Sequence, residues 1–197
     1  AGERVDHPHH VGLWFNYGDV NGSDFWNNTD AVKPEDRPKF GTIVHRAVTA
    51  VRGGADQGEL EVDVDWIHGN GSVVLTEHTL FVFRGGPGWR SVDRITRLLA
   101  QGARVSFTDN KEGLLGLRVA RQLEIASKGP GVFTDASGRA TKVPEMDNAG
   151  VNGDYLTSEG KTGDAAWGTR GRWCTLSGKI GEEPVTIAIL DHPQNTG

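Results

Sequence analysis

A single cysteine, Cys174, stands in the 197 residues, so no disulfide can close within the chain. That usage suits a reducing compartment and is compatible with a periplasm. In its Trp-Cys-Thr setting Cys174 reads as a small buried hydrophobe rather than a nucleophile. Long hydrophobic runs are missing as well. Residues 185–190, interrupted by Thr186, make one of the longest, against the ~20 residues that a membrane-spanning helix needs. No basic run or stripe exists, and the net charge is −5, which argues against nucleic acid as a partner. The opening AGERVDHPHH has neither the charged nor the apolar region of a signal peptide. Helical periodicity is scarce, with residues 117–125 the best candidate for a helix. These absences leave a soluble protein, cytoplasmic or periplasmic, with a small molecule as its expected ligand.

Glycine, by contrast, is abundant at 28 residues, about double the average share, and points to many turns. From residue 41 onward the pattern alternates with period two and is rich in β-branched residues: TIVHRAVTAV, ELEVDVDWIH and SVVLTEHTLFVF. This is the signature of half-buried strands. Glu61, Asp63 and Asp65 alternate with Val62, Val64 and Trp66, which gives one wet face and one buried face. Short glycine links (RGGADQG, HGNG, GGPG) join the strands as hairpins. WRSVDRITRLLA, RVSFTD, GRWCTLSGKI and VTIAILDHP extend the series. The expected fold is all-β, an antiparallel sandwich in one domain over 1–197. Residues 1–40 read as a long aromatic-bearing loop. The polar stretch 129–163 reads as a lid or active-site loop.

The chemistry-bearing residues cluster in a few places. DHPHH at 6–10 puts His7 and His9 on one side of an extended segment and His10 on the other. A His-x-His pair can grip a transition metal, with His192 and Glu112 as distant partners. The same rings suit acid–base work, or they can cap loops and pack on Trp14. DNKEG at 109–113 places Asp109, Lys111 and Glu112 together, as a site for a polar substrate requires or as a charged turn would show. Arg94 and Arg118 can clamp a carboxylate or hydroxyls. Gly160-Lys161-Thr162 is no phosphate loop, because Tyr155 stands where such a loop needs glycine. The segment 158–168 reads instead as a mobile loop presenting Glu159, Lys161 and Trp167. Six tryptophans in an acidic chain invite a sugar reading. Trp66, Trp89 and Trp173 sit in strand patterns, which leaves Trp14 and Trp26 as the better platforms.

Four ordered stretches, DHPHHVGLWFNYGDVNGSDFW, DNKEGLLGLRVA, YLTSEGKTGDAAWGTRGRWC and VTIAILDHPQN, resemble the soluble bacterial family labelled "methane oxygenase PmoA". The resemblance implies a chain incomplete at both ends, because that family carries further sequence on either side. It also implies a β-supersandwich similar to galactose mutarotase and related sugar-active proteins. An integral-membrane oxygenase subunit, the source of the label, does not fit a chain without a membrane span. The matching positions are Asp6, His7, His9, His10, Asp19, Asn21, Asp24, Asp109, Lys111, Glu112, Glu159, Lys161, Arg172, Asp191 and His192.

The leading expectation is a protein that binds or acts on a carbohydrate or related polyhydroxy acid. His9 or His10 is the general acid–base, with Glu112 or Asp109 as its partner. Trp14, Asn21, Asp24, Lys111, Arg118, Glu159, Lys161 and Arg172 are the expected substrate contacts. Proton abstraction, as in epimerisation or elimination, fits better than hydrolysis, which needs two carboxylates at a defined gap. A second reading is a metal-dependent enzyme with His7, His9 and His192 as ligands of divalent Fe, Mn, Zn or Cu, completed by Glu112 or Asp191. A third is a sugar-binding module without catalysis.

Overall fold

The computed structural model describes residues 10–29, 32–134 and 140–195. The chain is all-β, built from antiparallel sheets. It divides into two compact units, one formed by residues 15–116 and the other by 1–14 with 117–197. Among the described residues no helix is long and apolar enough to cross a membrane.

The first unit is dominated by four long strands in the order β2-β3-β4-β5. These are β2 (Thr42–Gly53), β3 (Gln57–Ile67), β4 (Val73–Gly86) and β5 (Trp89–Ala100). Each matches an alternating segment of the sequence, and the glycine links form the hairpin turns. Two register shifts interrupt β2, between His45 and Ala47 and between Val48 and Ala50. Such bulges re-aim the strand, and as a result His45, Val48 and Val51 pair with Val64, Val62 and Leu60 on one face.

The core lies on that face. Val20, Phe25, Trp66, Val74 and Leu75 are buried together, with Phe15, Tyr17, Ile43, Val64, Leu98 and Val105 packed around them. The N-terminal aromatic segment therefore supplies a covering layer for the sheet. Phe15 meets Trp66 edge-on at 6.2 Å and Phe25 leans on it at 5.0 Å. At the centre of this apolar region sits a buried ion pair. Glu77 is 3% exposed and pairs with Arg94, whose side chain is 15% exposed. The Trp66 indole donates to Glu77 Oε2 at 2.9 Å, and Thr79 donates to Oε1 at 2.6 Å. Arg94 Nε donates to Thr96 at 3.0 Å, and its guanidinium lies 4.4 Å from the Phe15 ring centroid. Burial lowers the Arg94 pKa, and the Glu77 carboxylate pulls it back up. Arg94, expected as a substrate clamp, is thus engaged inside the core.

β1 (Leu13–Phe15) and β6 (Leu115–Leu117) form a two-stranded ribbon, and the boundary between the units falls inside both strands. In the second unit β9 (Asp154–Thr157), β10 (Trp173–Ile180) and β11 (Glu183–Leu190) form a sheet in the order β11-β10-β9. A separate hairpin pairs β7 (Gly131–Thr134) with β8 (Ala140–Val143).

The structure departs from the sequence pattern at three places. Residues 117–125 hold the end of β6 and a 3-10 turn at Arg121–Leu123, not a helix. RVSFTD forms only an isolated bridge from Phe107 to Val20. The stretch 129–163 is not one loop, because it contains β7, β8 and β9. Gly153 shows why one glycine matters in this unit. A Cβ there would overlap the Leu123 carbonyl oxygen, which is backbone and cannot swing aside.

Two outcomes follow from this packing. Glu77→Gln leaves the Arg94 charge uncompensated in the core and should cost about 3–5 kcal/mol in urea unfolding. The double variant Glu77→Leu/Arg94→Met should recover more than half of that loss. Gly153→Ala should destabilise the chain by about 1–3 kcal/mol in the same assay, the usual cost of overpacking.

Candidate functional site

The polar face of the four-stranded sheet carries a row of paired titratable side chains. Period two places Glu59, Glu61, Asp63 and Asp65 in a row along β3, and antiparallel pairing sets His78 of β4 directly opposite Asp63. His78 Nδ1 lies 2.7 Å from Asp63 Oδ1, and its Nε2 lies 3.5 Å from Glu61 Oε2. Arg52 bonds both Glu59, at 2.7 Å, and Glu61. Those two carboxylates raise the Arg52 pKa. Arg46, a bulge residue of β2, reaches Asp65 at 3.1 Å. Arg97 of β5 stands opposite His78 in register, is exposed, and makes no ion pair among the described residues. The result is an imidazole oriented by one carboxylate, flanked by a second, with an unengaged guanidinium on the neighbouring strand.

The chemistry of that arrangement follows from the ring. When Nδ1–H donates to Asp63, the neutral imidazole presents a lone pair at Nε2. A base held this way can take a proton and return it. His78 and Asp63 were not among the residues expected from the sequence. Alternation alone put Asp63 on a wet face, but the partner across the strand depends on register, which a single sequence does not print.

The residues expected from the sequence fall into three places. His7 and His9 lie outside the described residues, as does Asp6. His10 is half-buried and stacks on Trp14, with centroids 4.5 Å apart and planes at 12°. The Arg118 backbone N–H donates to Gly12 O at 2.8 Å, so Arg118 accompanies this segment within the same unit.

In the sheet unit, the loop of Asp19, Asn21 and Asp24 is brought beside the loop of Asp109, Lys111 and Glu112. Thr108 N–H donates to Asp19 O at 3.1 Å. Asn21 uses its whole amide on backbone: Oδ1 accepts from Ser106 N–H at 2.8 Å and Nδ2 donates to Arg104 O at 3.1 Å. Asp24 accepts from the N–H groups of Trp26 and Asn27 and from the Asn27 amide. Lys111 pairs with Glu112 at 2.5 Å, and Asp109 is exposed.

In the second unit Glu159, Lys161, Arg172, Asp191 and His192 gather at one end of the β9-β10-β11 sheet. Ser158 Oγ donates to Glu159 at 3.0 Å and accepts from Arg172 N–H at 2.8 Å. Asp191 N–H donates to Arg172 O at 2.9 Å. His192 Nδ1 accepts from Gln194 N–H at 3.2 Å, so it serves its own turn. Among the described residues no group of three His, Cys, Asp or Glu side chains is placed to hold a metal ion. Cys174 is half-buried, and burial pushes its thiol pKa up, away from a reactive thiolate. Burial and the neighbouring Cys174 push Tyr155 up as well.

Fold and site together define an all-β protein of antiparallel sheets with an imidazole–carboxylate pair on an open sheet face. The chain belongs to the Family of unknown function (DUF6807), whose model matches residues 1–197. Neither an oxygenase activity nor a carbohydrate substrate is part of that description. No curated protein and no solved structure matches the chain.

Asn21 combines a positive φ of 51° with its two backbone bonds. Asn21→Ala should therefore lose about 1–3 kcal/mol by urea unfolding. Asn21→Gly relieves the backbone strain and should lose less, which separates the two contributions.

Proposed function

We propose that this protein binds a carbohydrate or related polyhydroxy acid and moves a proton on it by imidazole–carboxylate chemistry. The observation that carries the reading is the 2.7 Å contact between His78 Nδ1 and Asp63 on the open polar face of the sheet. His78 Nε2 is the base, Asp63 fixes the tautomer, and Arg97 meets the negative charge that develops when a proton leaves carbon next to a carbonyl. Glu61, 3.5 Å from Nε2, faces the same nitrogen and can accept a substrate hydroxyl. The mixture of carboxylates and guanidinium groups on this face matches the hydrogen-bonding needs of a polyol. The resemblance to sugar-active β-supersandwich proteins, with 1–197 as part of a single such domain, supports the same substrate class by fold analogy.

A second location is favoured by the His10–Trp14 stack, which couples an imidazole of the DHPHH motif to an indole face. There His9 or His10 is the acid–base residue, and Arg118 of the same unit contacts the substrate. The metal-dependent reading rests on His7, His9 and His192 and calls for a divalent transition metal. Metal analysis of protein purified without an affinity tag tests it.

The deciding experiment follows solvent-proton exchange into a panel of sugars and uronic acids by NMR. His78→Gln and Asp63→Asn should each slow exchange about 10²–10⁴-fold, the usual contribution of a positioned acid–base group. His10→Ala should leave it within threefold. Loss in His10→Ala with full activity in His78→Gln moves the centre to the motif. Exchange on none of the panel sinks the catalytic reading.

A further inference from the structure

Between Ser158 and Trp173 the chain makes a closed surface loop. Ser158 N–H donates to Trp173 O at 3.0 Å, and Arg172 N–H donates to Ser158 Oγ at 2.8 Å, so the two ends are tied at the neck. The interior is braced as well. Thr157 N–H donates to Lys161 O at 2.9 Å, a 3-10 turn spans Gly163–Ala166, and Thr169 Oγ1 donates to Ala166 O at 2.7 Å. The loop expected to be mobile is hydrogen-bonded through its length. Compact loops with tied ends are frequently functional.

What the loop presents is unusual for an exposed segment. Trp167 is 80% exposed, the most solvent-facing tryptophan among the described residues. Lys161, Arg170 and Arg172 are exposed, and their side chains make no ion pair or hydrogen bond among the described residues. Within 158–172 these three cations stand against Glu159 and Asp164, a local charge of +1 on a chain of net −5 (three positive minus two negative). An indole left in water gives up apolar burial, and three unengaged cations in the same loop offer charge without a partner.

We propose that this loop is a binding surface for an anionic saccharide, with Trp167 stacking on a pyranose ring and Arg170, Arg172 and Lys161 holding its carboxylate or sulfate. The proposal rests on the carbohydrate reading above and narrows the ligand from sugars in general to acidic ones. A guanidinium takes a carboxylate or sulfate through paired N–H donors, which a neutral hydroxyl cannot match. A protein partner fits less well. A stable interface needs about 800 Å² on each side, and Trp167 is the one large apolar residue between Glu159 and Arg172. A single indole face is close to the footprint of one sugar ring. The braced backbone lowers the ordering cost of binding.

The test is isothermal titration of the whole chain with uronate and sulfated tetrasaccharides and with their neutral counterparts. At least one acidic probe should bind tenfold or more tightly than its neutral counterpart and weaken as salt is raised. Trp167→Ala should reduce that affinity at least tenfold with an unchanged circular dichroism spectrum, because so exposed a side chain supports little packing. Arg170→Gln/Arg172→Gln should abolish the preference for the acidic probe. The inference is overturned if no acidic probe binds, if neutral probes bind equally well, or if Trp167→Ala changes nothing. Binding of neutral sugars that Trp167→Ala leaves intact and His78→Gln removes would overturn the loop proposal alone and leave the sheet-face reading standing.

Discussion

The buried pair of Glu77 and Arg94 is the constraint around which the larger unit is organised. Two charges in an apolar core are costly unless each is fully engaged. Here the engagement reaches outward in every direction. Glu77 takes the Trp66 indole and the Thr79 hydroxyl, and Arg94 takes Thr96 and lies against Phe15 and Phe81. Each contact ties a different part of the chain to the same point: β3 through Trp66, β4 through Thr79, β5 through Thr96 and the N-terminal segment through Phe15. A purely apolar core would tolerate a slip of that segment along the sheet. A guanidinium seated on the Phe15 ring favours one position. The covering layer and the sheet are therefore in fixed register, and the loops that follow Phe15 inherit that placement.

Irregular segments in both units are held by a second device, side-chain amides standing in for missing strands. Asn21 offers Oδ1 to Ser106 N–H and Nδ2 to Arg104 O. Asn148 does the same for the N–H and C=O of Ser127, and Asn152 for those of Lys179. An amide carries one acceptor and two donors in a plane, so it can satisfy a backbone pair without a neighbouring strand. Buried or half-buried irregular chain must satisfy its backbone groups somehow. In a glycine-rich chain whose loops lack their own regular pairing, asparagine supplies the partner. This explains why polar residues clustered near the motifs need not all face a ligand: part of their chemistry is directed inward.

Legibility in the sequence divides along the same lines. The four long strands were readable because alternation reports burial of one face, and the hairpin links are marked by glycine. The bulges of β2 were not readable, since His45, Val48 and Val51 share a face only after the register shifts. RVSFTD alternates like a strand, yet its pairing with residues 19–21 amounts to one isolated bridge and no named strand, because its neighbours are loops rather than strands. The hairpin of β7 and β8 was hidden by polar composition. The histidine motif at 6–10 was conspicuous by density of rings. His78, by contrast, looks like one more polar residue in LTEHTLF, and its role depends on Asp63 lying opposite it across the strand pair. Sequence reports which face a residue shares with its own strand, whereas cross-strand partners are a property of register.

That distinction bears on where chemistry is expected in such a chain. A motif read along the sequence joins residues whose spacing is fixed by covalent geometry, but it leaves their rings free to serve turns, as His192 does toward Gln194. A pair formed across a sheet has its backbone positions fixed by the hydrogen-bonded ladder on both sides, which leaves only the side-chain torsions to be set. His78 and Asp63 have that property. They occupy adjacent central strands, β3 and β4, with β2 and β5 outside them, so the backbone of neither can shift without disturbing two ladders. Under the proposed function, a base carried on such a ladder starts from a fixed backbone position, which is what acid–base catalysis asks of its scaffold.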